Sequence, residues 1–293
     1  MRLASGQWWH FVATEAVMQW VENLASIMEL KTCDENGYPK LIFVRNETDK
    51  RKCDELIYYL APSIREGLPR RDWKVRELPL IHVWSHPDVP DVICELGHRE
   101  GYELDIIRKR LALYPIYERA INSGGLPLHA ALVERNGIGI LLAASGNKGK
   151  STCCRSLPLP WNPMCDDEAL VVPNARRRYF AHPFPTWSDY IWRRAEQTWN
   201  VQRHVPLSAI LFLERSETSE IVPIGGGQEA AFITKSAMEV FDPNWNNMHP
   251  QEVRALREKL LENACELAKE IPAYIFRLSL SGRFWDKIEK VIS

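Results

Sequence analysis

The fold of this chain is decided by residues 137–151, which read Gly-Ile-Gly-Ile-Leu-Leu-Ala-Ala-Ser-Gly-Asn-Lys-Gly-Lys-Ser. A short apolar run leads into a glycine-containing turn that ends at Gly149, Lys150 and Ser151. This order predicts a strand, a phosphate-binding loop (P-loop) and a helix, because the backbone N–H groups of such a loop surround a phosphate. The residues expected to bind the nucleotide are Ser145, Gly146, Asn147, Lys148, Gly149, Lys150, Ser151 and Thr152.

The loop departs from the usual Gly-x4-Gly-Lys-Ser/Thr spacing, because Ala144 stands at the first glycine position. A Cβ atom makes a positive φ costly, so either the loop follows a different path or Ala144 keeps a negative φ. The alternative interpretation is a surface turn rich in glycine and lysine. The apolar strand before the loop and an acidic cluster after it favour a nucleotide site, in which Lys150 reaches the outer phosphates and Ser151 ligates Mg²⁺.

The acidic cluster is Cys165-Asp166-Asp167-Glu168, which stands before the β-prone run 169–172. Triphosphate chemistry needs a carboxylate that holds Mg²⁺, and transfer to a hydroxyl also needs a base. Asp166 and Asp167 can divide these roles. The predicted metal ligands are Ser151 and Asp167, and which aspartate acts as the base stays open. A solvated acidic turn is the alternative.

Two histidines stand near these motifs. His129 lies on the strand before the loop, where it could orient an aspartate or shuttle its proton; a hydrogen-bonded structural histidine is the alternative. Residues 182–189, His-Pro-Phe-Pro-Thr-Trp-Ser-Asp, are predicted to form a stiff aromatic loop. His182 in this loop could lie over the phosphates, and a buried structural turn is the alternative.

Composition excludes several classes of protein. The chain has 37 Lys and Arg and 38 Asp and Glu, a net charge of −1, so no nucleic-acid partner is expected. No segment approaches the ~20 consecutive apolar residues of a membrane span, and the N-terminus lacks the apolar core of a signal peptide. The seven cysteines include no Cys-x-x-Cys pair, which predicts reduced thiols in a cytoplasmic protein. Cys153 and Cys154 fall where a helix N-terminus lowers a thiol pKa, but packing under the loop is their expected role.

Hydrophobic periodicity predicts an α/β chain of the α+β type, with mixed sheets and helices. The predicted helices are 13–28, 103–121, 151–157, 229–240 and 250–271, with a short closing helix. The predicted strands are 40–44, 78–83, 92–96, 126–133, 138–143, 169–172, 207–213, 220–224 and 273–278, and loops are expected at 46–52 and 62–73. We expect two domains: an α/β region of unknown role over residues 1–120, and a nucleotide-binding domain over residues 121–293.

The order of the motifs resembles the catalytic core of HPr kinase/phosphorylase. In that family a histidine-containing strand, a hairpin, a phosphate loop and an Asp-Asp pair follow one another, as they do here from His129 to Asp167. The resemblance covers roughly residues 126–240. It implies the fold shared with ATP-dependent phosphoenolpyruvate carboxykinase, a bent β-structure with flanking helices. It also implies ATP and Mg²⁺ as cofactors, the Gly-Lys-Ser end of the loop at the phosphates, and His129 as the support of the aspartate pair.

Over most of its length the chain is also similar to ScmC-type proteins of the SynChlorMet cassette. The resemblance is carried by Gly-Lys-Ser-Thr-Cys-Cys at 149–154, Cys-Asp-Asp-Glu-Ala-Leu-Val-Val at 165–172 and His-Pro-Phe-Pro-Thr-Trp-Ser at 182–188. Such genes accompany radical SAM and PqqD-like proteins, which implies these partners and a small ribosomal peptide or its carrier as substrate. The chain has no equivalent of the signature loop that HPr kinases use beside their protein substrate, which argues against HPr as the acceptor.

The leading functional hypothesis is a Mg²⁺- and ATP-dependent kinase that phosphorylates a hydroxyl, such as a serine of a peptide or small protein. Its expected catalytic residues are Asp166, Asp167, His129 and Lys150. The alternative is a nucleotide-binding scaffold or chaperone of the cassette that transfers nothing, which Ala144 favours. A third possibility is an enzyme that activates a carboxylate as an acyl-phosphate. HPr kinases are hexamers, so a homo-oligomer is possible.

Overall fold

The computed structural model describes residues 1–33, 37–45, 57, 60–99, 101–144, 149–193, 198–225, 227–241, 249–279 and 283–292. Two mixed sheets together with helices make the chain an α+β protein, as predicted. The chain divides into two compact units. The first unit consists of Met1–Arg2, Gln7–Ile116 and Trp187–Thr198, and the second of Leu3–Gly6, Tyr117–Thr186 and Trp199–Ser293.

Helices of the described residues are numbered along the chain. They are α1 (Met18–Ile27), α2 (Pro62–Arg65), α3 (Tyr102–Leu111), α4 (Tyr114–Asn122), α5 (Lys150–Arg155), α6 (Trp187–Ile191), α7 (Gly227–Phe241), α8 (Pro250–Glu270) and α9 (Trp285–Ile292). Within the part of the chain that the structure describes, no helix combines the length and the apolar character needed to cross a bilayer.

The first unit is built on a five-stranded mixed sheet. Its strands are β1 (His10–Ala13), β2 (Lys40–Arg45), β3 (Lys74–Leu78), β4 (Ile81–His86) and β5 (Val89–Leu96). Their spatial order is β1-β2-β5-β4-β3. β1, β2 and β5 run parallel, and β4 and β3 extend the sheet antiparallel. The residues of β2 from Leu41 to Val44 are all buried, as expected for a parallel strand covered on both faces.

Several predictions for the first unit need correction. The predicted strand 78–83 is correct only in part: residues 81–83 begin β4, but Leu78 ends β3, and the chain reverses between them with Leu80 at a φ of 73°. The predicted helix 103–121 is two helices, α3 and α4. Pro115 lies in the first turn of α4 and has no N–H to donate, so one continuous helix cannot pass through it. The predicted loop 62–73 contains α2, and the predicted loop 46–52 lies outside the described residues.

The second unit contains a nine-stranded mixed sheet. Its strands are β6 (Leu126–Leu128), β7 (Ala130–Arg135), β8 (Ile138–Ala143), β9 (Asn162–Cys165), β10 (Glu168–Pro173), β11 (Tyr179–Phe184), β12 (Val205–Arg215), β13 (Glu220–Pro223) and β14 (Ala273–Leu278). Seven of them follow the order β6-β10-β11-β12-β8-β7-β9, while β14 pairs with β12 and β13. The first residues of β12 pair antiparallel with β11, and its later residues pair parallel with β8 and β14. The single strand β12 therefore joins two parts of the sheet.

The hairpin between β7 and β8 positions the predicted loop. Asn136 and Gly137 form its turn with φ angles of 53° and 80°, as the Asn-Gly sequence predicts. The predicted strand 126–133 is interrupted at His129, which separates β6 from β7. The backbone N–H of His129 donates to the carbonyl of Ser236 at 3.2 Å instead of to a neighbouring strand. A contact with helix α7 thus breaks the strand at this histidine.

The predicted aromatic loop 182–189 is largely a strand and a helix. Residues 182–184 complete β11, in which His182 pairs opposite Leu170 of β10. Trp187 begins α6. Strands β9 and β11 were not predicted, because prolines at Pro163 and Pro183 interrupt the usual strand pattern.

Candidate active site

The strand and the helix of the predicted P-loop are both present. β8 ends at Ala143, and α5 begins at Lys150 after Gly149. Gly149 has a φ of 97°, a left-handed conformation that favours glycine. Among the described residues, positive φ angles occur at positions other than Ala144, so this alanine keeps a negative φ. The predicted loop residues Ser145, Gly146, Asn147 and Lys148 lie outside the described residues.

Lys150 is a buried lysine that lies across the base of the loop. It is 7% exposed. Its Nζ donates to the carbonyl oxygen of Ala144 at 2.7 Å and lies 2.9 Å from Nε2 of His129. Burial lowers the pKa of Lys150, and the charge of Asp167 is the largest influence that opposes this. The loop-closing contact to Ala144 needs only a backbone carbonyl, so alanine at this position is compatible with it.

His129 is fixed by helix α7 through its backbone and its ring. Its N–H donates to the Ser236 carbonyl at 3.2 Å, and the Ser236 hydroxyl donates to the His129 carbonyl at 3.3 Å. Its Nδ1 lies 2.8 Å from Oε2 of Glu239. Ser236 and Glu239 are three positions apart, so they lie on one face of the helix. The helix therefore sets the orientation of the imidazole ring.

The other ring nitrogen of His129 faces the predicted catalytic residues. Nε2 lies 3.1 Å from Oδ1 of Asp167 and 2.9 Å from Nζ of Lys150. Burial lowers the pKa of His129, but the hydrogen bond to Asp167 and further contacts outweigh it, so that this pKa is raised overall. In the neutral ring with Nδ1–H donated to Glu239, Nε2 accepts from Lys150. In the charged ring Nε2–H donates to Asp167. Protonation of His129 therefore changes the hydrogen-bond partner of Nε2 from Lys150 to Asp167.

The two aspartates of the acidic cluster occupy different environments. Asp166 is 4% exposed. It accepts from Nη2 of Arg155 at 2.8 Å and from the hydroxyl of Thr186. The side chain of Asp167 is 24% exposed and lies against His129. Asp166 thus holds the turn between β9 and β10, and Asp167 faces Lys150 and His129.

Other predicted residues fall outside this cluster. His182 is fully buried; its Nε2 accepts from the Ala4 N–H at 3.0 Å, and its Nδ1 donates to the Val201 carbonyl at 2.8 Å. Burial lowers the pKa of His182 to about 4. Both ring nitrogens are used within the fold, so His182 is a buried structural residue, and the prediction that it lies over the phosphates is corrected. Ser151 is half-buried and Thr152 exposed in the first turn of α5.

The two cysteines of α5 are packing residues. Cys153 and Cys154 are fully buried in the apolar cluster of the second unit. Burial raises the pKa of each thiol to about 12. The desolvation of these side chains therefore outweighs any lowering by the helix N-terminus.

Glu239 and Ser236 are site residues that the sequence did not reveal. The helix that carries them was predicted, over residues 229–240. Its buried apolar positions include Ile233, Ala237 and Val240, and Ser236 is buried among them. A polar side chain on the apolar stripe of a helix is the sequence signal that could have revealed this contact with the site.

The oxygen atoms around Lys150 fit the chemistry of a divalent cation. The charges of Asp166, Asp167 and Glu239 each raise the pKa of Lys150. Three carboxylates therefore lie near one lysine. Mg²⁺ binds through one or two carboxylates together with substrate phosphates, and Ser151 and Asp167 would hold it here. Within the described ranges, no group of three or more His, Cys, Asp or Glu side chains is placed to hold a metal ion.

The fold and the cluster define a class of protein. It is an α+β protein in which a strand–turn–helix unit places a buried lysine beside a histidine and carboxylates. A family model described as SynChlorMet cassette protein ScmC matches residues 92–293. The match covers well over half of the chain, including the whole nine-stranded sheet and the cluster around Lys150, and the chain belongs to this family. No curated protein matches the chain.

Proposed function

We propose that the chain is an ATP- and Mg²⁺-dependent kinase that transfers the γ-phosphate to a hydroxyl of a peptide or small protein. One observation carries the proposal: Nε2 of His129 lies 2.9 Å from Nζ of Lys150 and 3.1 Å from Oδ1 of Asp167. A cation for phosphate oxygens and a carboxylate for a hydroxyl proton thus lie side by side. The resemblance to HPr kinase/phosphorylase supports the same reaction, which needs positioning and charge neutralisation more than covalent chemistry.

Each side chain of the cluster has a role in the proposed transfer. Asp167 accepts the proton of the acceptor hydroxyl, whose oxygen bonds to the γ-phosphorus as ADP leaves. The ammonium of Lys150 leaves the carbonyl oxygen of Ala144 and binds the phosphate oxygens. His129, held by Glu239, orients Asp167 and is a positioning residue. Ser151 and the other carboxylate oxygen of Asp167 would hold Mg²⁺, which would neutralise phosphate charge when bound.

Membership of the ScmC family supports a role in a peptide-maturation cassette. The acceptor would then be the ribosomal peptide of the cassette or its carrier, and radical SAM and PqqD-like proteins would be its partners. The lack of Cys-x-x-Cys pairs in the sequence supports a cytoplasmic location.

The test is a transfer assay with the full-length protein, Mg²⁺, γ-labelled ATP and the peptide encoded beside the gene. We expect label on the peptide in an acid-stable phosphoester. Lys150→Met should reduce transfer by about 100-fold or more, because the charge that meets the phosphates is lost. Lys287→Met, which removes an exposed lysine of α9, is the matched control and should transfer at the wild-type rate. Absence of label with the wild-type protein would contradict the proposal.

The same samples test the scaffold alternative, which the alanine at position 144 favours. Calorimetry would then report ATP binding without ADP formation, even with the cassette proteins present. An acid-labile product would instead indicate an acyl-phosphate and hence activation of a carboxylate.

A further inference from the structure

The first unit contains an open cavity that the proposed kinase chemistry does not use. Its volume is about 650 Å³, and it lies between α1 and α3, with Tyr190 and Thr198 at its border. This volume falls within the ~300–1,000 Å³ that is usual for ligand sites. All of its lining residues belong to the first unit, whereas the cluster around Lys150 belongs to the second.

The polar centre of the cavity is Asp105. The indole Nε1 of Trp20 donates to Oδ1 of Asp105 at 2.5 Å, and the ammonium of Lys109 donates to Oδ2. Nζ of Lys109 also lies 5.3 Å from the centre of the Trp20 ring. Lys109 is only 2% exposed, so its charge is stabilised by the ion pair and by the ring face. These three side chains are fixed before any ligand arrives.

One wall of the cavity carries side-chain amides. Gln19 and Asn23 line it from α1, four positions apart and therefore on one face of the helix. Each amide offers both donors and an acceptor. A peptide backbone presents the same two kinds of group, so this wall is complementary to a short extended segment of chain.

Aromatic side chains supply the apolar part of the cavity. Trp20, Tyr102 and Tyr190 line it together. The hydroxyl of Tyr102 donates to the carbonyl of Tyr190 at 3.0 Å, which fixes both residues. The guanidinium of Arg193 lies 4.3 Å from the centre of the Tyr102 ring. Rigid rings of this kind favour contact with another flat side chain.

Charge does not decide which ligand the cavity takes. Among the lining residues that the structure describes, Asp105 and Lys109 neutralise each other. The exposed Glu22 carries a negative charge, and Arg193, which lies against the Tyr102 ring, carries a positive one. We propose that the cavity is a binding site for a short peptide segment that carries an aromatic side chain. Its lining residues and those of the proposed kinase site belong to different units, and it binds without chemistry.

The test follows the indole N–H signal of Trp20 by NMR in the full-length, ¹⁵N-labelled protein, with the signal assigned from Trp20→Phe. The probes are acetylated and amidated pentapeptides Gly-Ser-X-Ser-Gly in which X is Phe, Ala or Glu. We expect the Phe peptide to shift the signal saturably. The Ala and Glu peptides should bind about tenfold more weakly or not at all, because both lack the ring that contacts the aromatic lining.

Two substitutions on α1 form a matched pair. Ser26→Phe fills the cavity and should weaken binding of the Phe peptide by about tenfold or more. Met18→Phe changes an exposed residue of the same helix outside the lining and should leave binding unchanged. No saturable shift with the Phe peptide, or equal binding to Ser26→Phe and the wild type, would overturn the proposal. Lys150→Met should bind the peptide as the wild type does, so failure of phosphoryl transfer and failure of this site are distinguishable.

Discussion

Oε2 of Glu239 lies 2.8 Å from Nδ1 of His129, although 110 positions separate the two residues in the chain. This contact leaves Nε2 of the ring to face Lys150 and Asp167. It also stabilises the charged imidazole, and it is one of the contacts that raise the pKa of His129. Glu239 therefore sets the direction of the ring and adds to the larger effect of Asp167 on its pKa.

We expect Glu239→Gln to lower the pH at which His129 titrates, because an amide stabilises the imidazolium less than a carboxylate does. The ring signals of His129 followed by NMR against pH measure this shift directly. In the transfer assay the variant should lower kcat more than it raises KM, since Glu239 acts through the orientation of His129. Glu229→Gln, which changes a half-buried glutamate at the start of the same helix, is the control and should change neither quantity. An unchanged titration of His129 in Glu239→Gln would show that the contact does not control the ring.

The two neighbouring aspartates should respond differently to the same substitution. Asp166→Asn removes the charge that Arg155 and Thr186 contact and should lower the free energy of unfolding by about 1–3 kcal/mol. Asp167→Asn should lower the free energy of unfolding by less than about 1 kcal/mol, because this side chain is partly exposed. It should nevertheless reduce phosphoryl transfer by about 100-fold or more if it accepts the hydroxyl proton. Urea unfolding and the labelled-ATP assay measure the two effects. The reverse order of the stability losses would contradict the division of roles.

Protein stability should fall in mild acid because of His182. Burial lowers the pKa of His182 to about 4 in the folded chain, while an exposed histidine has a pKa near 6.5. The unfolded state therefore binds the proton first, and the stabilisation present above pH ~6.5 is lost as the pH falls towards ~4. The full contribution is roughly 3 kcal/mol.

The measurement is the free energy of unfolding from denaturant titrations between pH 7 and 4.5. His182→Gln should show a smaller fall over this range than the wild type. His98→Gln, which removes an exposed histidine of the first unit, should keep the wild-type fall. Equal pH dependence in the wild type and His182→Gln would exclude the buried histidine as the cause.

The thiols beneath the loop should resist alkylation. Cys153 and Cys154 are buried with a pKa raised to about 12, so about one molecule in 10⁴ carries a thiolate at pH 8. Iodoacetamide at this pH should label the exposed Cys33 and Cys265 and leave the 153–154 peptide unlabelled, as read by mass spectrometry. The same peptide should become labelled in guanidinium chloride. Rapid labelling of Cys153 in the native protein would mean that α5 opens readily.

Local signals in the sequence were sufficient to predict many of the strands, turns and helices of the second unit. β8 and β14 were predicted with their observed bounds, because each is a compact apolar run between turn residues. The Asn136-Gly137 turn and the helix after the loop were also predicted, since glycine and capping chemistry act over a few residues. These elements place Lys150 at the end of β8.

Long-range contacts explain what the sequence did not predict. The break at His129 comes from Ser236, and the ring is fixed by Glu239, both on a helix about a hundred positions away. His182 was expected in a loop because prolines surround it, but pairing with β10 makes it a strand residue. Pairing and packing between distant segments thus determine the conformations of His129 and His182, and local propensity does not.

The position of β12 in the sheet has a consequence for synthesis of the chain. β8 leaves the ribosome early, but the parallel strand that covers one of its edges is β12, which is made only after β9, β10 and β11. Until then one backbone edge of β8 has no native partner, and exposed edges of this kind invite pairing with other chains. Truncation before residue 205 should therefore yield aggregates rather than a smaller folded protein.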